Sequence, residues 1–171
     1  MNKPALIQRL LIPVLAALTC AWAAGAAAVP SPGNFLSEAV RDSRAEIQAC
    51  NLALEKAQNP EVKQFAQRMI KDHSELSTKI EAVAKKKGVS LPPGISMTQK
   101  GRYELLDQTP QSHFDKAFMD HNVSDHKSDV KTFSEEAQEA TDRDVKALAS
   151  EALPQLQTHL RLAEDLDAKI Q

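Results

Sequence analysis

The chain has 171 residues, of which 21 are basic and 23 are acidic, and its formal net charge is −2. This length suits one ordinary domain. A nearly balanced charge without a basic face, together with one Trp and one Tyr, argues against nucleic-acid binding through phosphates or base stacking.

Residues 1–28 have the pattern of a cleaved signal peptide. A basic start is followed by an apolar stretch and by an A-x-A cleavage pattern that ends at Ala28. We therefore expect export, with residues 29–171 forming a single mature domain in the periplasm. Lipidation at Cys20, or association with the outer membrane, is the alternative.

The mature chain contains no run of about 20 apolar residues, so we expect no transmembrane segment in it. Removing the signal peptide takes away two basic residues and no acidic residue, which leaves 19 basic against 23 acidic residues. Cys50 is then the only cysteine, so no internal disulfide can form. Its place on an apolar stripe predicts a buried side chain.

The first two predicted helices form a hairpin. Helix 1 runs from about Asn34 to Gln58, with apolar residues every three or four positions. Helix 2 begins after the N-cap Asn59, with Pro60 first, and ends at Gly88, which can take the left-handed cap. The apolar line of helix 2 is Val62, Phe65, Met69, His73, Leu76, Ile80 and Val83.

A proline-rich connection of 23 residues follows, within which residues 98–108 are expected to form a short helix. Helix 3 is predicted to open with a Ser112–Asp115 capping box and helix 4 with a Thr141–Asp144 box. The apolar line of helix 3 is Met119, Val123, His126, Val130, Phe133, Ala137 and Ala140. The line of helix 4 is Val145, Leu148, Ala152, Leu156, His159, Ala163, Leu166 and Ile170.

These elements predict an all-α protein: a ferritin-like four-helix bundle with one long crossover between helices 2 and 3, preceded by the signal peptide. Pro154 lies inside helix 4 and removes one backbone donor there. We therefore expect a kink or a local break near the middle of that helix.

Two stretches, from Phe65 and Phe118, share the pattern F-x4-[IV]-x-D-H-x6-[IF]. Their histidines, His73 and His126, and also His159, replace apolar residues on core-facing lines. From the rise per residue, all three lie about 18–20 Å from the same end of the bundle. Glu46 lies at a similar height, at the flank of the line of helix 1.

The sharper interpretation is a metal site made by Glu46, His73, His126 and His159, a ligand set that suits zinc, copper or iron. The Glu-x-x-His pairs of di-iron bundles are absent, since Ile70 and Val123 stand three residues before the two histidines. Ferroxidase or oxygenase chemistry of that type is therefore not expected.

The alternative interpretation is a polar layer that fixes the register of the bundle without metal. Asp72 and Asp125 stand next to their histidines in sequence, about 100° away around the helix. They are expected to act as supporting residues by reaching another helix or solvent. His113 and His121 lie off the apolar lines and are predicted to face solvent.

The segments "NPEVKQFAQRMIKDH", "VSDHKSDVKTF" and "LPQLQTHL" resemble the bacterial domain of unknown function 4142. The resemblance covers nearly all of the mature chain. It implies a ferritin-like four-helix bundle outside the cytoplasm, in a family often labelled exported or outer-membrane protein, with no established activity. Gln48 departs from the pattern, which usually has an acidic residue there.

Three functional hypotheses follow. The first is a non-catalytic periplasmic bundle in envelope stress or homeostasis, acting through an envelope partner or as a homo-oligomer. The second is a bundle that sequesters or senses a transition metal. The third is a redox enzyme, for which the sequence offers the least support.

Overall fold

The structure is a computed structural model that describes residues 30–170. These residues contain four long helices and one short helix. The five helices in chain order are α1 (Pro32–Lys56), α2 (Pro60–Lys87), α3 (Met97–Asp107), α4 (Gln111–Glu139) and α5 (Arg143–Asp167). The all-α fold, the long crossover and the short helix within it are confirmed. The predicted signal peptide lies outside the described residues.

The ends of α1 and α2 follow from their capping residues. The Ser31 side chain accepts a hydrogen bond from the Asn34 amide, so α1 begins slightly earlier than the sequence predicts. Asn59 caps α2 as expected by accepting from the Glu61 amide. Gly88 ends α2 with φ 66°, a left-handed conformation that favours glycine.

The predicted capping box of Ser112 and Asp115 was wrong. α4 begins directly after Pro110 without a side-chain cap. The Asp115 carboxylate instead accepts hydrogen bonds from the amides of Gln58, at 3.1 Å, and Asn59, at 2.8 Å. These amides have no hydrogen-bond partner within a helix, and charge-assisted bonds to them are stronger than a capping box within α4 would be. Asp115 therefore connects α4 to the α1–α2 turn.

The predicted box from Thr141 was also wrong, by one residue. Asp142 is the N-cap of α5 and accepts from the amides of Asp144 and Val145. The Asp142 carboxylate also lies 2.5 Å from Lys87 Nζ at the end of α2. The cap therefore joins the second hairpin to the first.

These contacts fix how the helices are arranged. α1 packs against α2 and α4 against α5, which gives two antiparallel hairpins, and α2 also packs against α5. The shorter α3 contacts both α1 and α4 and covers the seam between them. The turn between α1 and α2 and the start of α4 lie at one end of the bundle, while the end of α2 and the start of α5 lie at the other.

The hydrophobic core consists of two apolar clusters. One lies near the α1–α2 turn and includes Cys50, Phe65, Met69, Phe114 and Phe118, and the other lies near the end of α2 and includes Phe35, Val40, Ile80, Phe133 and Leu156. Between them in sequence, on every long helix, is a set of buried polar residues: Ser43, Glu46, Asp72, His73, Asn122, His126, Asp129 and His159. A polar layer therefore divides the core at mid-height.

The buried face of α4 differs from the predicted apolar line. Val123 and Val130 are only partly buried, whereas Asn122, Asp129 and Glu136 are buried. The apolar pattern failed here because the buried stripe of α4 is itself partly polar. By contrast, α5 continues as a helix through Pro154, so no break is present there. None of the described helices is both long and apolar enough to cross a membrane.

Candidate metal centre

Three histidines from three helices meet in the polar layer. His73 lies on α2, His126 on α4 and His159 on α5, and each is at most 2% exposed. Each occupies a position where the helical repeat would otherwise place an apolar side chain, so the packing of the hairpins turns all three rings inward. The predicted convergence of the histidines is present in the fold.

The three rings lie close enough to share one ligand. One ring nitrogen of each histidine lies within 4.8 Å of a nitrogen on both others. The Nε2 atoms of His73 and His126 are 3.4 Å apart. Two nitrogens bound to one tetrahedral ion at about 2.0–2.1 Å would stand roughly 3.3–3.4 Å apart. The spacing of this pair therefore already matches that of two ligands of one ion.

Hydrogen bonds set which nitrogen two of the rings can offer. Nδ1 of His126 lies 3.0 Å from the carbonyl oxygen of Asn122, to which it donates, so its Nε2 keeps a lone pair. Nε2 of His159 donates to the Asp72 carboxylate at 2.8 Å, so its Nδ1 keeps a lone pair. Metal-binding histidines are usually held in this way, with the second nitrogen bonded to a carbonyl or a carboxylate.

Two buried nitrogens of the cluster have no hydrogen-bond partner among residues 30–170. These atoms are Nδ1 of His73 and Nδ1 of His159. Each unpaired buried polar atom costs about 1–3 kcal/mol. A polar layer that served structure alone should satisfy its own members. Nδ1 of His159, the nitrogen that keeps a lone pair, therefore favours a site with a further ligand over a closed layer.

All three imidazoles are neutral near pH 7. Burial, followed by the neighbouring His126 and His159, lowers the pKa of His73 well below its ordinary value. Burial lowers the pKa of His126 to about 4. Burial also lowers the pKa of His159, although Asp72 opposes this. A neutral imidazole is the form that binds metal, so no proton must leave the cluster first.

The two aspartates of the repeated pattern both reach other helices, but only Asp72 bonds to a histidine of the cluster. Asp72 lies against His159 on α5 and also accepts from Arg68 Nε at 3.3 Å. Burial would raise the pKa of Asp72, but the hydrogen bonds, that from His159 first, outweigh it and the pKa is lowered. Asp125 does not contact the histidine cluster by hydrogen bonding and pairs instead with Arg102 on α3.

The structure does not bring Glu46 into the histidine cluster. Glu46 is buried, but its carboxylate lies within 4.8 Å of ligand atoms of His121 and Asp125, in a group separate from the three core histidines. His113 is exposed, as predicted. The prediction for His121 was wrong, because its side chain is 17% exposed and lies beside Asp125 under α3.

The sequence reasoning also missed two acidic residues near this second group. Asp42 on α1 and Asp129 on α4 line the same cleft as Glu46. Their i, i+4 spacing from Glu46 and Asp125 could have placed each on the same face of its helix. What could not be read from the sequence is that α3 folds over the seam and encloses both faces.

Chemically, the histidine cluster offers three neutral nitrogen donors in a buried polar layer between two apolar clusters. Imidazole nitrogen suits zinc, copper, nickel and iron, whereas calcium and magnesium prefer oxygen. The flanking Asp72 and Asn122 groups hold two rings in orientation. The arrangement can therefore hold one transition-metal ion between the two hairpins.

Fold and site together define a class: all-α four-helix bundles with a long crossover and an inward-facing imidazole cluster. Comparison with known families gives the more specific assignment. The profile of a domain of unknown function, DUF4142, matches residues 18–166, so the chain belongs to the DUF4142 family. The resemblance seen in the sequence is confirmed. No well-characterised protein matches the sequence significantly.

Solved structures share the fold at low sequence identity. A DUF305 fragment from Deinococcus radiodurans aligns with a TM-score of 0.72 and 16% identity, covering 83% of this chain and 98% of the fragment. CopM in its Cu(I)-bound form aligns with a TM-score of 0.67 and 16% identity, covering 80% of this chain and 94% of CopM. CopM in its Cu(II)-bound form aligns with a TM-score of 0.68 and 15% identity, covering 81% of this chain and 96% of CopM.

Proposed function

We propose that this protein is a non-catalytic, exported helical bundle that binds one transition-metal ion through His73, His126 and His159. The observation that carries the proposal is the convergence of three buried, neutral imidazoles with a nitrogen of each within 4.8 Å of the others. The orientation of two rings by Asp72 and the Asn122 carbonyl supports it, because it leaves their lone pairs free for a metal.

Copper is the first metal to test. Three imidazoles suit copper and zinc alike, and the donor set does not separate them. Two of the solved structures with a similar fold are those of CopM in its Cu(I)-bound and Cu(II)-bound forms. At 15–16% identity this likeness extends to the fold, so the argument for metal binding rests on the histidines of this chain.

Burial favours holding a metal over turning over a substrate. The three histidines are at most 2% exposed, so a substrate would have to open the bundle to reach an ion between them. A site of this kind suits sequestration or sensing of a metal in the cell envelope, and with it a part in envelope stress or homeostasis. Redox catalysis has less support, since electron and substrate access would both be restricted.

The test is metal binding by the purified protein. Stoichiometry after dialysis against Cu(I), Cu(II) or Zn(II) should approach one ion per chain for at least one of them. At a free metal concentration 100 times the dissociation constant, the free energy of unfolding should rise by about 2.7 kcal/mol. For a domain of this size, that gain raises the melting temperature by roughly 8 °C.

The matched variants are His73→Gln in the cluster and His113→Gln on the exposed surface. The first should lose the metal-dependent gain in melting temperature, and the second should keep it. If no metal stabilises the parent protein, the cluster is a structural polar layer. The function would then lie in an envelope partner or in self-association.

Export is tested separately, by the N-terminus of the protein isolated from the producing cell. Cleavage after Ala28 in material from the periplasm is the expected result. An intact N-terminus on cytoplasmic protein would rule out export and leave the metal proposal untouched.

A further inference from the structure

A second group of potential metal ligands lies where α1, α3 and α4 meet. Glu46 and Asp125 line the cleft between α1 and α4, and His121 lines a small adjoining pocket beside Asp125. Glu46 on α1 and His121 and Asp125 on α4 each place one ligand atom within 4.8 Å of the other two. The cleft has a volume of about 410 Å³ and opens to solvent beside α3. It is lined mainly by polar side chains, including Asp42, Asp129, Gln99 and Arg102.

Glu46 is the side chain in this cleft that calls for a ligand. It is 2% exposed. Within the described part of the chain, neither of its carboxylate oxygens has a hydrogen-bond partner. An unpaired buried carboxylate is costly, and proteins normally pair such a group, protonate it or bind it to a metal. Because the carboxyl lines the cleft, a ligand entering from solvent can reach it.

The charge around Glu46 favours a cation. Asp42, Asp125 and Asp129 line the cleft with it, and Arg102 is the one basic residue in that lining. Burial, followed by Asp125 and Asp129, raises the pKa of Glu46 well above its ordinary value. A proton shared between the Glu46 and Asp125 carboxyls is the simplest alternative to a metal, and the test below separates the two.

Arg102 stands where it would compete with an incoming cation. Its guanidinium pairs with Asp125 Oδ1 and lies 3.2 Å from His121 Nδ1. In that state His121 carries its proton on Nε2, 3.4 Å from Asp125 Oδ2. The Arg102 side chain is 41% exposed, so it can swing into solvent when a divalent ion takes its place.

We propose that Glu46, His121 and Asp125 form a second cation site, distinct from the histidine cluster and of a different chemical preference. Two carboxylates and one imidazole, with room for water in the cleft, suit a harder divalent ion such as Mn(II). Arg102 acts as an internal counter-ion that such a metal displaces. This proposal stands whether or not the histidine cluster binds a metal.

The experiment is a titration of the purified protein with Mn(II), followed by the loss of the free-ion signal in electron paramagnetic resonance. The informative variants are Glu46→Gln, which keeps the shape and removes the charge, and Arg102→Gln. Glu55→Gln, at an exposed position on the same helix, is the matched control. His73→Gln tests independence from the histidine cluster.

The expected result is one bound Mn(II) in the parent, Glu55→Gln and His73→Gln proteins. Glu46→Gln should bind at least about tenfold more weakly, and Arg102→Gln should bind several-fold more tightly, since a competing positive charge is gone. Circular dichroism should show all variants folded.

The proposal fails if the parent does not bind Mn(II) near neutral pH, which is the result expected if Glu46 and Asp125 share a proton instead. It also fails if Glu46→Gln binds Mn(II) as tightly as the parent does. Equal or weaker binding by Arg102→Gln would overturn the displacement of Arg102. Loss of Mn(II) binding in His73→Gln would place the ion in the histidine cluster instead.

Discussion

Asp72 shows how one carboxylate controls the histidine cluster. It accepts the Nε2 proton of His159 and thereby decides that Nδ1 is the nitrogen that keeps a lone pair. It also contacts Arg68, which is half exposed, so the charge is shared with a residue at the surface. The orientation of His159 therefore depends on a residue that would not itself touch a metal.

Replacing Asp72 with Asn tests this role. The neutral amide accepts a weaker hydrogen bond, so the affinity for the cluster metal should fall by about 10-fold or more, the usual effect of losing such a support. Stability without metal should fall by about 1–2 kcal/mol, because a charge-assisted bond is lost. Isothermal titration and thermal melting measure the two effects.

Asp165→Asn is the control for that experiment. Asp165 is exposed and pairs only distantly with Arg161, at 3.8 Å, and such surface pairs contribute little. Metal affinity and melting temperature should both stay close to those of the parent. An equal loss of affinity in the two variants would mean that net charge, and not the bond to His159, explains the effect.

Asp42 is expected to make the stability of the protein depend on pH. Burial, then Glu38 and Asp125, raises the pKa of Asp42 to about 6. The folded state therefore binds this proton more tightly than the unfolded state, whose pKa is about 3.9. The penalty for ionising Asp42 is absent below about pH 4, grows as pH rises, and is complete above about pH 6.

Asp42→Asn removes this penalty while keeping an oxygen that can accept from Gln99. At pH 7 and without divalent ions, we expect the variant to be more stable than the parent by roughly 1–3 kcal/mol. The difference should vanish near pH 4. Denaturant melts at several pH values measure it, and a difference independent of pH would contradict the assignment.

At this scale, the sequence predicted the parts of the site that interrupt an apolar repeat. His73, His126 and His159 stand out because they replace hydrophobic residues, and the rise of the helix matches their heights. Glu46 was predicted at the right height but on the wrong side of the layer. A sequence pattern predicts the height of a residue along the bundle well. For a residue at the flank of a helix, it predicts less well which neighbouring side chains that residue contacts.

At the scale of helices, substituting alanine at two glycines is expected to change the stability of the protein in opposite directions. Gly88 ends α2 with φ 66°, whereas Gly101 lies inside α3, and a methyl group added at either meets nothing within 4 Å. Gly88→Ala should destabilise the protein by about 1–2 kcal/mol through backbone strain alone. Gly101→Ala should stabilise it by about 0.5–1 kcal/mol if α3 stays docked as the bundle forms.

Urea denaturation midpoints of the two variants check this pair. A destabilising Gly88→Ala with a silent Gly101→Ala would mean that α3 is released before the bundle unfolds. Since α3 covers the cleft that holds Glu46, that outcome would also describe how the cleft opens.

The helix ends show which local signals were sufficient. Asn59 and Gly88 were assigned correctly because a cap residue acts on amides and carbonyls only a few positions away. Asp115 was assigned wrongly because its carboxylate reaches the turn between α1 and α2, over 50 residues back in sequence. The buried stripe of α4 was misplaced for a similar reason, since Asn122 and Asp129 are buried by contacts with other helices.

At the scale of the molecule, the four long helices, their pairing and the crossover all followed from sequence. Connections of only a few residues force neighbouring helices into hairpins, and a 23-residue connection can run the length of the bundle. The division of the core into two apolar clusters was not foreseen. It depends on polar residues of every long helix meeting at one level.

The distribution of the histidines between hairpins has a mechanical consequence. His73 belongs to the α1–α2 hairpin, and His126 and His159 to the α4–α5 hairpin. Within residues 30–170, the crossover is the only covalent link between the two hairpins. An ion held by all three would act as a removable crosslink. Amide hydrogen exchange should then slow about 100-fold across both hairpins at a metal concentration 100 times the dissociation constant. Slowing confined to the residues around the cluster would show instead that the hairpins separate and rejoin without regard to the ion.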